Sequence, residues 1–568
     1  MLDIGRVSFD LCETAIHRQQ YTDMITFSHR RHIWKFGADF IYDNIFNFFP
    51  GNFSGSYSFD SLENFGRSLT GVPLVGIGPG EAGVTFTQAF AGTGTLGATT
   101  FPNIFQASWF VQDDWRLAHN LTLYAGIRWD LQKSAKSTVN SAVAAAGIAT
   151  SAPNTDRTNF GPRFGFAWVP IANSPMVLRG GYGIFYGYTP SIMLSTAQSN
   201  NGLSIVTKTF LGSAIPSYPN TLCGAPASSP NCAPPATGTS SPPSIYVFAA
   251  GYRQPVVQEV NLNLERSFGR DLSLSIGWQM VKGNDLQRAR DINLGTPTSA
   301  TLTVFPTGQV IDYPLFPSAR PTPAFTRISQ FESSANSLYH GFFLQLRKQM
   351  SQRIEGTVSY TFGHVIDDAP DINAVVPFSP DDDSLLLSDP KRPQVDRSSG
   401  LDDERHRLVL SGIWQLDYAD NLGTWMRAAL GNWQVSMILS AQSGKPYTGL
   451  VNGDLNNDSN QYTDRIPTEG RNSFNLPATW TLNPRLSKFC NLGERAKLEL
   501  LIEAFNVFNH FNVPAVNNIQ YQLTSNTLVP ANGFGRPMSP GIGSNYPFAG
   551  PQNLNGARIF QLGAKISF

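Results

Sequence analysis

Apolar and polar residues alternate one by one along much of this chain. In Leu121 to Gln132, Leu121, Leu123, Ala125, Ile127, Trp129 and Leu131 share one face of an extended strand, and Thr122, Tyr124, Gly126, Arg128, Asp130 and Gln132 share the other. The dyad recurs in Leu272, Leu274, Ile276, Trp278 and Met280 against Asp271, Ser273, Ser275, Gly277 and Gln279. It recurs in Trp34, Phe36, Ala38 and Phe40 against Lys35, Gly37 and Asp39, and in Val260, Leu262 and Leu264 against Glu259, Asn261, Asn263 and Glu265. Trp433, Val435, Met437 and Leu439 oppose Gln434 and Ser436 in the same way. A strand buried in a soluble core would not turn Arg128 and Asp130 inward. A strand between lipid and a watery lumen would, with aromatics such as Trp109, Trp115, Trp129, Trp168, Tyr186 and Tyr188 near its ends.

The connections alternate in length. Tight ones fall at His29 to His32, His119-Asn120, Ala172 to Pro175, Gly269-Arg270, Ser351 to Arg353 and Asn491 to Glu494. Between them lie long Gly-, Pro-, Ser- and Asn-rich excursions at 44–104, 133–158, 189–252, 286–335, 368–402, 447–478 and 512–556. Short periplasmic turns and long extracellular loops are the polarity of a bacterial outer-membrane barrel. The pattern therefore predicts an all-β fold, an antiparallel up-and-down transmembrane β-barrel of about fifteen strands. The chain ends inside a strand: Phe560, Leu562, Ala564, Ile566 and Phe568 share one face, closed by the terminal Phe, against Gln561, Gly563, Lys565 and Ser567. Such a strand serves as a membrane-insertion signal, and it places Phe568 at the periplasmic end.

Composition narrows the function classes. Only 14% of the 568 residues are charged, against roughly 25% in an ordinary soluble domain. The 41 basic and 41 acidic side chains cancel, so no basic excess invites nucleic acid. No window approaches the ~18 apolar residues of a transmembrane helix, so membrane residence must come from strands. Bacterial single-chain barrels have even strand counts, so an odd one implies missing strands. Met1 to Gln20 lacks a basic region followed by an apolar core, being interrupted by Arg6, Asp10, Glu13 and Arg18. These features lead us to expect that residues 1–568 are the C-terminal portion of a longer barrel protein, incomplete, with free edges near Tyr21 to Ser28 and along Arg558 to Phe568.

Several motifs carry a family resemblance. Phe105-Gln-Ala-Ser-Trp-Phe-Val-Gln-Asp-Asp-Trp-Arg116 running into Leu121-Thr-Leu-Tyr-Ala-Gly-Ile-Arg-Trp-Asp130 resembles the F-x-Q-D-x-W…L-T-L-x-x-G-x-R-x-D hairpin of TonB-dependent outer-membrane receptors. His32 to Gly37, Asn159 to Gly165, Arg179 to Tyr186 and Glu503 to Asn509 extend the likeness to the Oar-like branch, from about Ile16 to Phe568. The resemblance implies a gated receptor and transporter, not an enzyme. Extracellular loops would capture a ligand; they carry no recognisable site that identifies it, and an oligosaccharide and a peptide are the candidate classes. TonB would act through a plug that, with the signal peptide and a regulatory-like domain, is absent from these residues. Outer-membrane lipid and the barrel-assembly machinery are the other implied partners.

Lumen-lining candidates are Lys35, Asp39, Arg128, Asp130, Glu259, Glu265, Glu499 and Glu503, which serve either ligand passage or simple solvation of the lumen. Asp454, Asn456, Asp458 and Asn460, followed by Asp464, space oxygen donors as a calcium loop does. Ser459 stands where an EF-hand needs Gly, and no Glu completes the set, so an Asx-rich turn is the alternative. Otherwise no cofactor is implied. Cys223 and Cys232, in a Pro/Ser-rich outer loop, are expected to pair as a disulfide in an oxidising compartment. The run Asp381-Asp382-Asp383 reads as a solvated loop face, and His406 lacks a second His or Cys nearby for a metal. Competing classes are a passive porin or surface-adhesion barrel, and a soluble extracellular carbohydrate-binding β protein; the last would need a blade repeat that the sequence lacks.

Overall fold

The computed structural model describes residues 12–72, 84–148, 153–171, 174–222, 233–368, 387–418, 423–460, 464–493, 495–537 and 557–568. Cys223, Cys232 and the run Asp381 to Asp383 lie outside these residues. Fifteen long strands build one meandering antiparallel wall. They are β1 (Glu13–His29), β2 (His32–Phe48), β3 (Ile104–Ala118), β4 (Leu121–Ser134), β5 (Phe160–Trp168), β6 (Met176–Tyr186), β7 (Val256–Phe268) and β8 (Leu272–Asp291). There follow β9 (Arg327–Ser351), β10 (Ile354–Asp367), β11 (His406–Leu416), β12 (Trp433–Gln442), β13 (Thr479–Leu492), β14 (Ala496–Phe505) and β15 (Ile559–Ser567). Each pairs with the next. Three short pieces, Thr99–Thr100, Ser244–Phe248 and Ser398–Ser399, bring the sheet to 18 strands. Among the described residues no pairing joins β1 to β15.

Local chemistry sets the turns. The tight turns on one side place Arg30, Gly269, Gln352, Arg353 and Gly493 at positive φ, the left-handed backbone that reverses a strand within a few residues. β11 and β12 meet on this side through a longer connection. They are joined by residues 417–432, which include a short helix, Thr424–Leu430. Its Trp, Met and Leu look like strand material, and seven residues are too few to show a helical period.

Register fixes the two faces, because paired residues share one. Ala38 opposes Trp109 and Phe36 opposes Val111 on one face, while Asp39 opposes Ser108 and Lys35 opposes Gln112 on the other. Leu498, Leu500 and Ile502 of β14 oppose Ile566, Ala564 and Leu562 of β15. This apolar face is open: Phe342 is 56% exposed and Leu562 78%, and Trp34, Phe36, Phe40, Trp109, Leu262, Ile276 and Leu344 are exposed with them. Exposed apolar rows on many adjacent strands require lipid rather than water. On the inner face, large side chains lie over glycines of the next strand. A Cβ at Gly277 would stand 2.0 Å from the Phe343 ring, and one at Gly37 would stand 2.3 Å from Phe110.

Replacing outward Leu500 by Arg is expected to cost about 2–4 kcal/mol, and the same change at inward Gln561 close to nothing. Urea unfolding of the bilayer-inserted protein measures both. Equal costs would show that the faces are assigned wrongly.

Candidate functional site

The inner face carries a ladder of cross-strand ion pairs. Arg18 Nε and Nη2 donate to Asp43 at 2.7 and 2.9 Å, and Lys35 Nζ donates to Asp114 at 2.7 Å. Asp39 accepts from Thr22 Oγ1 at 2.5 Å and from Gln20 Nε2 at 3.1 Å. Arg128 donates to Asp130 at 2.9 Å and to Ser108 Oγ at 2.6 Å, and Tyr188 Oη donates to Asp130 at 3.2 Å. Arg179 pairs with Glu265. Arg485 reaches Glu499 at 2.6 Å and Glu503 at 3.4 Å. Glu259 stands on the same inner row, opposite Gly183. The eight lumen candidates thus share one face, and seven of them engage named hydrogen-bond or ion-pair partners, mostly of opposite charge.

Alternation alone did not reveal the outer mouth. The long excursions are not plain loops; they pair with one another. Strand Val84–Ala91 pairs antiparallel with Ile205–Leu211, from a different excursion. Thr298–Val304 runs parallel to Thr527–Pro530, and Leu450–Asn452 parallel to Ile519–Thr524, again across excursions. Each seam encloses apolar side chains: Phe86, Phe90 and Phe210 in one, and Leu302, Val451, Leu455, Ile466 and Leu528 in the other. A partial signal was present, since Val84, Phe86 and Phe90 share one face against Thr85 and Thr87, with Gln88, Ala89 and Ala91 breaking the alternation. Which segments would pair across such distances was not legible.

A helix, Ser191–Ser199, packs on the inner face of the wall at its loop end. Met193, Leu194 and Ala197 join Ile45 of β2, Ile104 of β3, Ala289 of β8 and Phe331 of β9 in one buried cluster with Phe248 and Tyr252. Ser195 Oγ lies 2.8 Å from both Asn47 Nδ2 and Thr100 Oγ1, which fixes the helix to the wall.

Arginines tie the excursions to the wall. Arg288 of β8 donates from Nη2 to the backbone and carboxylate oxygens of Asp368, at 2.9 and 3.1 Å. Arg290 is bidentate to Glu332. Arg471 pairs with Asp367 and donates to the Asp396 carbonyl at 2.8 Å, and Arg465 Nη1 donates to the Asp396 carboxylate at 2.5 Å.

The structure brings together the five residues expected for calcium. Asn456, Asp458, Asn460 and Asp464 are buried. Backbone amides engage their oxygens: Asp454 accepts from the amides of Asp458 and Ser459 at 3.1 and 3.0 Å, Asp458 from that of Asn460 at 2.8 Å, and Asp464 from that of Leu455. Among the described residues no three Asp, Glu, His or Cys side chains form a metal-holding group. Burial, then the charge of Asp454, pushes the Asp458 carboxyl up to about 7, and burial with the Asp458 charge raises Asp464 well above the ordinary range. Asp458 and Asn460 also line a small cavity with Asp291, whose buried Oδ2 has no hydrogen-bond partner among the described residues. His406 Nδ1 lies 2.8 Å from Tyr360 Oη.

The fold and its faces have known counterparts. The chain resembles the outer membrane transporter YddB from Escherichia coli at 12% identity and a TM-score of 0.51, over 98% of this chain and 55% of that one. The FrpB iron transporter from Neisseria meningitidis is 11% identical with a TM-score of 0.44, over 88% of this chain and 51% of that one. FpvA of P. aeruginosa, solved with bound heterologous pyoverdines, is 10% identical with a TM-score of 0.45, over 92% and 47%. At such identities only the fold is shared, and likenesses below 0.5 carry no argument. The chain spans about half the length of these structures. No curated protein matches it. The family model for the outer membrane beta barrel domain matches residues 11–468, most of the chain. The lipid-facing rows, the polar inner face and this match together place the protein in the bacterial outer membrane, as a member of the outer membrane beta barrel domain family.

Proposed function

We propose that the chain is the ligand-capturing wall of an Oar-like TonB-dependent receptor, whose longer form imports a captured oligosaccharide or peptide. One observation carries this: the excursions pair with one another, and the helix Ser191–Ser199 packs inside the loop end of the wall. A passive porin works by leaving its mouth open, whereas a receptor needs a built surface that closes over cargo and opens when pulled. The motif likeness around Phe105 to Asp130 supports the same choice. Asp130, held by Arg128 and Tyr188, and the Arg485–Glu499–Glu503 group would line the route inward. TonB would supply the pull through a plug contributed by the rest of the protein, and the barrel-assembly machinery would read the terminal strand, Phe560 to Phe568.

The test follows uptake of labelled oligosaccharides and oligopeptides by cells that make the whole protein, with and without an uncoupler of the inner-membrane proton gradient. Uptake of one class that collapses on uncoupling is the expected result. Uptake that survives uncoupling would make the protein a passive porin, and tight surface binding without uptake would make it an adhesin.

A further inference from the structure

From the outward register at the periplasmic rim we infer that the helix Thr424–Leu430 is an in-plane membrane anchor, lying in the phospholipid headgroup region of the periplasmic leaflet. The inference goes beyond the transport reading and rests only on the membrane placement of the wall.

The starting point is a lysine on the wrong face. Lys488 of β13 opposes Trp433 of β12 on one side and Leu500 of β14 on the other. That row is the outward one, shared with Leu486 and Met437, and a cation on it should face lipid. Yet Lys488 is only 9% exposed. Its ammonium donates to the carbonyls of Ala429, at 3.3 Å, and of Gly431, and stands 5.3 Å from the Trp433 ring centre. Trp433 Nε1 donates to the same Ala429 carbonyl at 2.9 Å. Those carbonyls are the open C-terminal end of the helix, the end that attracts a cation. The helix end therefore folds back over the outer surface of the wall, on the lipid side, not beneath the lumen.

The large side chains described as exposed on this helix are apolar. Trp425 is 90% exposed, Leu430 59% and Met426 53%. In water, leaving such side chains uncovered forfeits the stabilisation that burial would give them. The patch is continuous with the lipid-facing row beside it: Trp414 of β11 is exposed and donates from Nε1 to Tyr418 Oη at 3.2 Å, and Tyr418 in turn lies under the Arg353 guanidinium at 4.7 Å. Trp and Tyr with basic neighbours are the residues that settle at a membrane–water boundary, and a short helix with a Trp-, Met- and Leu-rich face lies flat there. Because this end of the wall carries the tight turns, the leaflet is the periplasmic one.

The test places nitroxide labels on single cysteines substituted at Met426 and Leu430, with the four native cysteines replaced by Ser, in the full chain inserted in bilayers of phosphatidylethanolamine and phosphatidylglycerol. Label collisions with oxygen and with a water-soluble nickel chelate are compared with labels at Leu500 on the outward wall and Gln352 in a tight turn. Labels at 426 and 430 are expected to favour oxygen, at depths of about 5–10 Å past the headgroup boundary, while the label at 352 favours nickel. Nickel-dominated labels at 426 and 430 beside an oxygen-dominated label at 500 would overturn the anchor alone. A nickel-dominated label at 500 would overturn the membrane placement of the wall, and the anchor with it.

Discussion

Raising the pH from about 5 to about 8 is expected to loosen the segment around Leu450 to Ile466, seen as faster amide exchange and protease cleavage there while the wall strands stay protected. Asp458 and Asp464 are buried beside each other and beside Asp454. Burial raises both, so the folded segment holds protons that the opened segment releases. A carboxyl raised from 3.8 to about 7 contributes its full stability below about pH 4 and loses it as the pH climbs through 7. At about 1.4 kcal/mol per unit, the Asp458–Asp464 pair holds a few kcal/mol of local closure that this rise in pH releases. Between about pH 5 and about pH 8, about two of those units are crossed, enough to change an opening equilibrium about a hundredfold. Arg327 limits the effect, since its guanidinium donates to the Ser459 carbonyl at 2.8 Å and favours the charged form of Asp458. The paired change Asp458→Asn and Asp464→Asn is expected to remove the pH dependence and hold the segment closed throughout. An unchanged exchange rate across the whole range would mean that the carboxylates are solvated. Calcium gives the competing outcome: protection restored at pH 8 by calcium, and by no monovalent salt, would assign the five oxygens to a cation in place of protons.

Most of the wall was legible in the sequence because one face of every spanning strand meets lipid and the other meets water. That contrast writes itself residue by residue, as in Leu123, Ile127 and Trp129 against Arg128 and Asp130. Turn positions were legible for a similar reason, since reversal within a few residues demands left-handed backbone at sites such as Arg30 and Gly269. The lumen candidates followed from alternation, but their partners did not. Asp130 meets Tyr188, and Glu499 meets Arg485, through register between strands that alternation leaves free to slide. The cap was the least legible part. Pairing Val84–Ala91 with Ile205–Leu211, or Thr298–Val304 with Thr527–Pro530, depends on contacts more than a hundred residues apart, and no local period encodes them. The helix Thr424–Leu430 was hidden differently: Trp433 and Lys488 look like an ordinary strand row until the helix end folds over them.

Replacing Asp368 by Ala is expected to destabilise the folded protein by about 3–5 kcal/mol, more than a typical surface ion pair by several-fold. Arg288 is the reason. Its side chain is 1% exposed, its Nε has no hydrogen-bond partner among the described residues, and Nη2 donates to the carbonyl and carboxylate of Asp368. Asp368 also accepts from the Asn336 amide at 2.6 Å, so it joins the loop end of β10 to both β8 and β9. Removing its carboxylate leaves Nη2 only the backbone carbonyl of residue 368, and the buried charge cannot be discharged at physiological pH. The neighbouring pairs, Arg471 with Asp367 and Arg465 with Asp396, hang on the same segment, so the loss should spread to the cap and appear as early cleavage within 387–399. Combining Arg288→Met with Asp368→Asn should recover most of the loss, because the charge is gone and an acceptor for Asn336 remains. Urea unfolding in bilayers, with cleavage of 387–399 followed in parallel, reads both effects. A loss below about 1 kcal/mol for Asp368→Ala would show that water reaches the guanidinium, and that the excursions are held by their apolar seams instead.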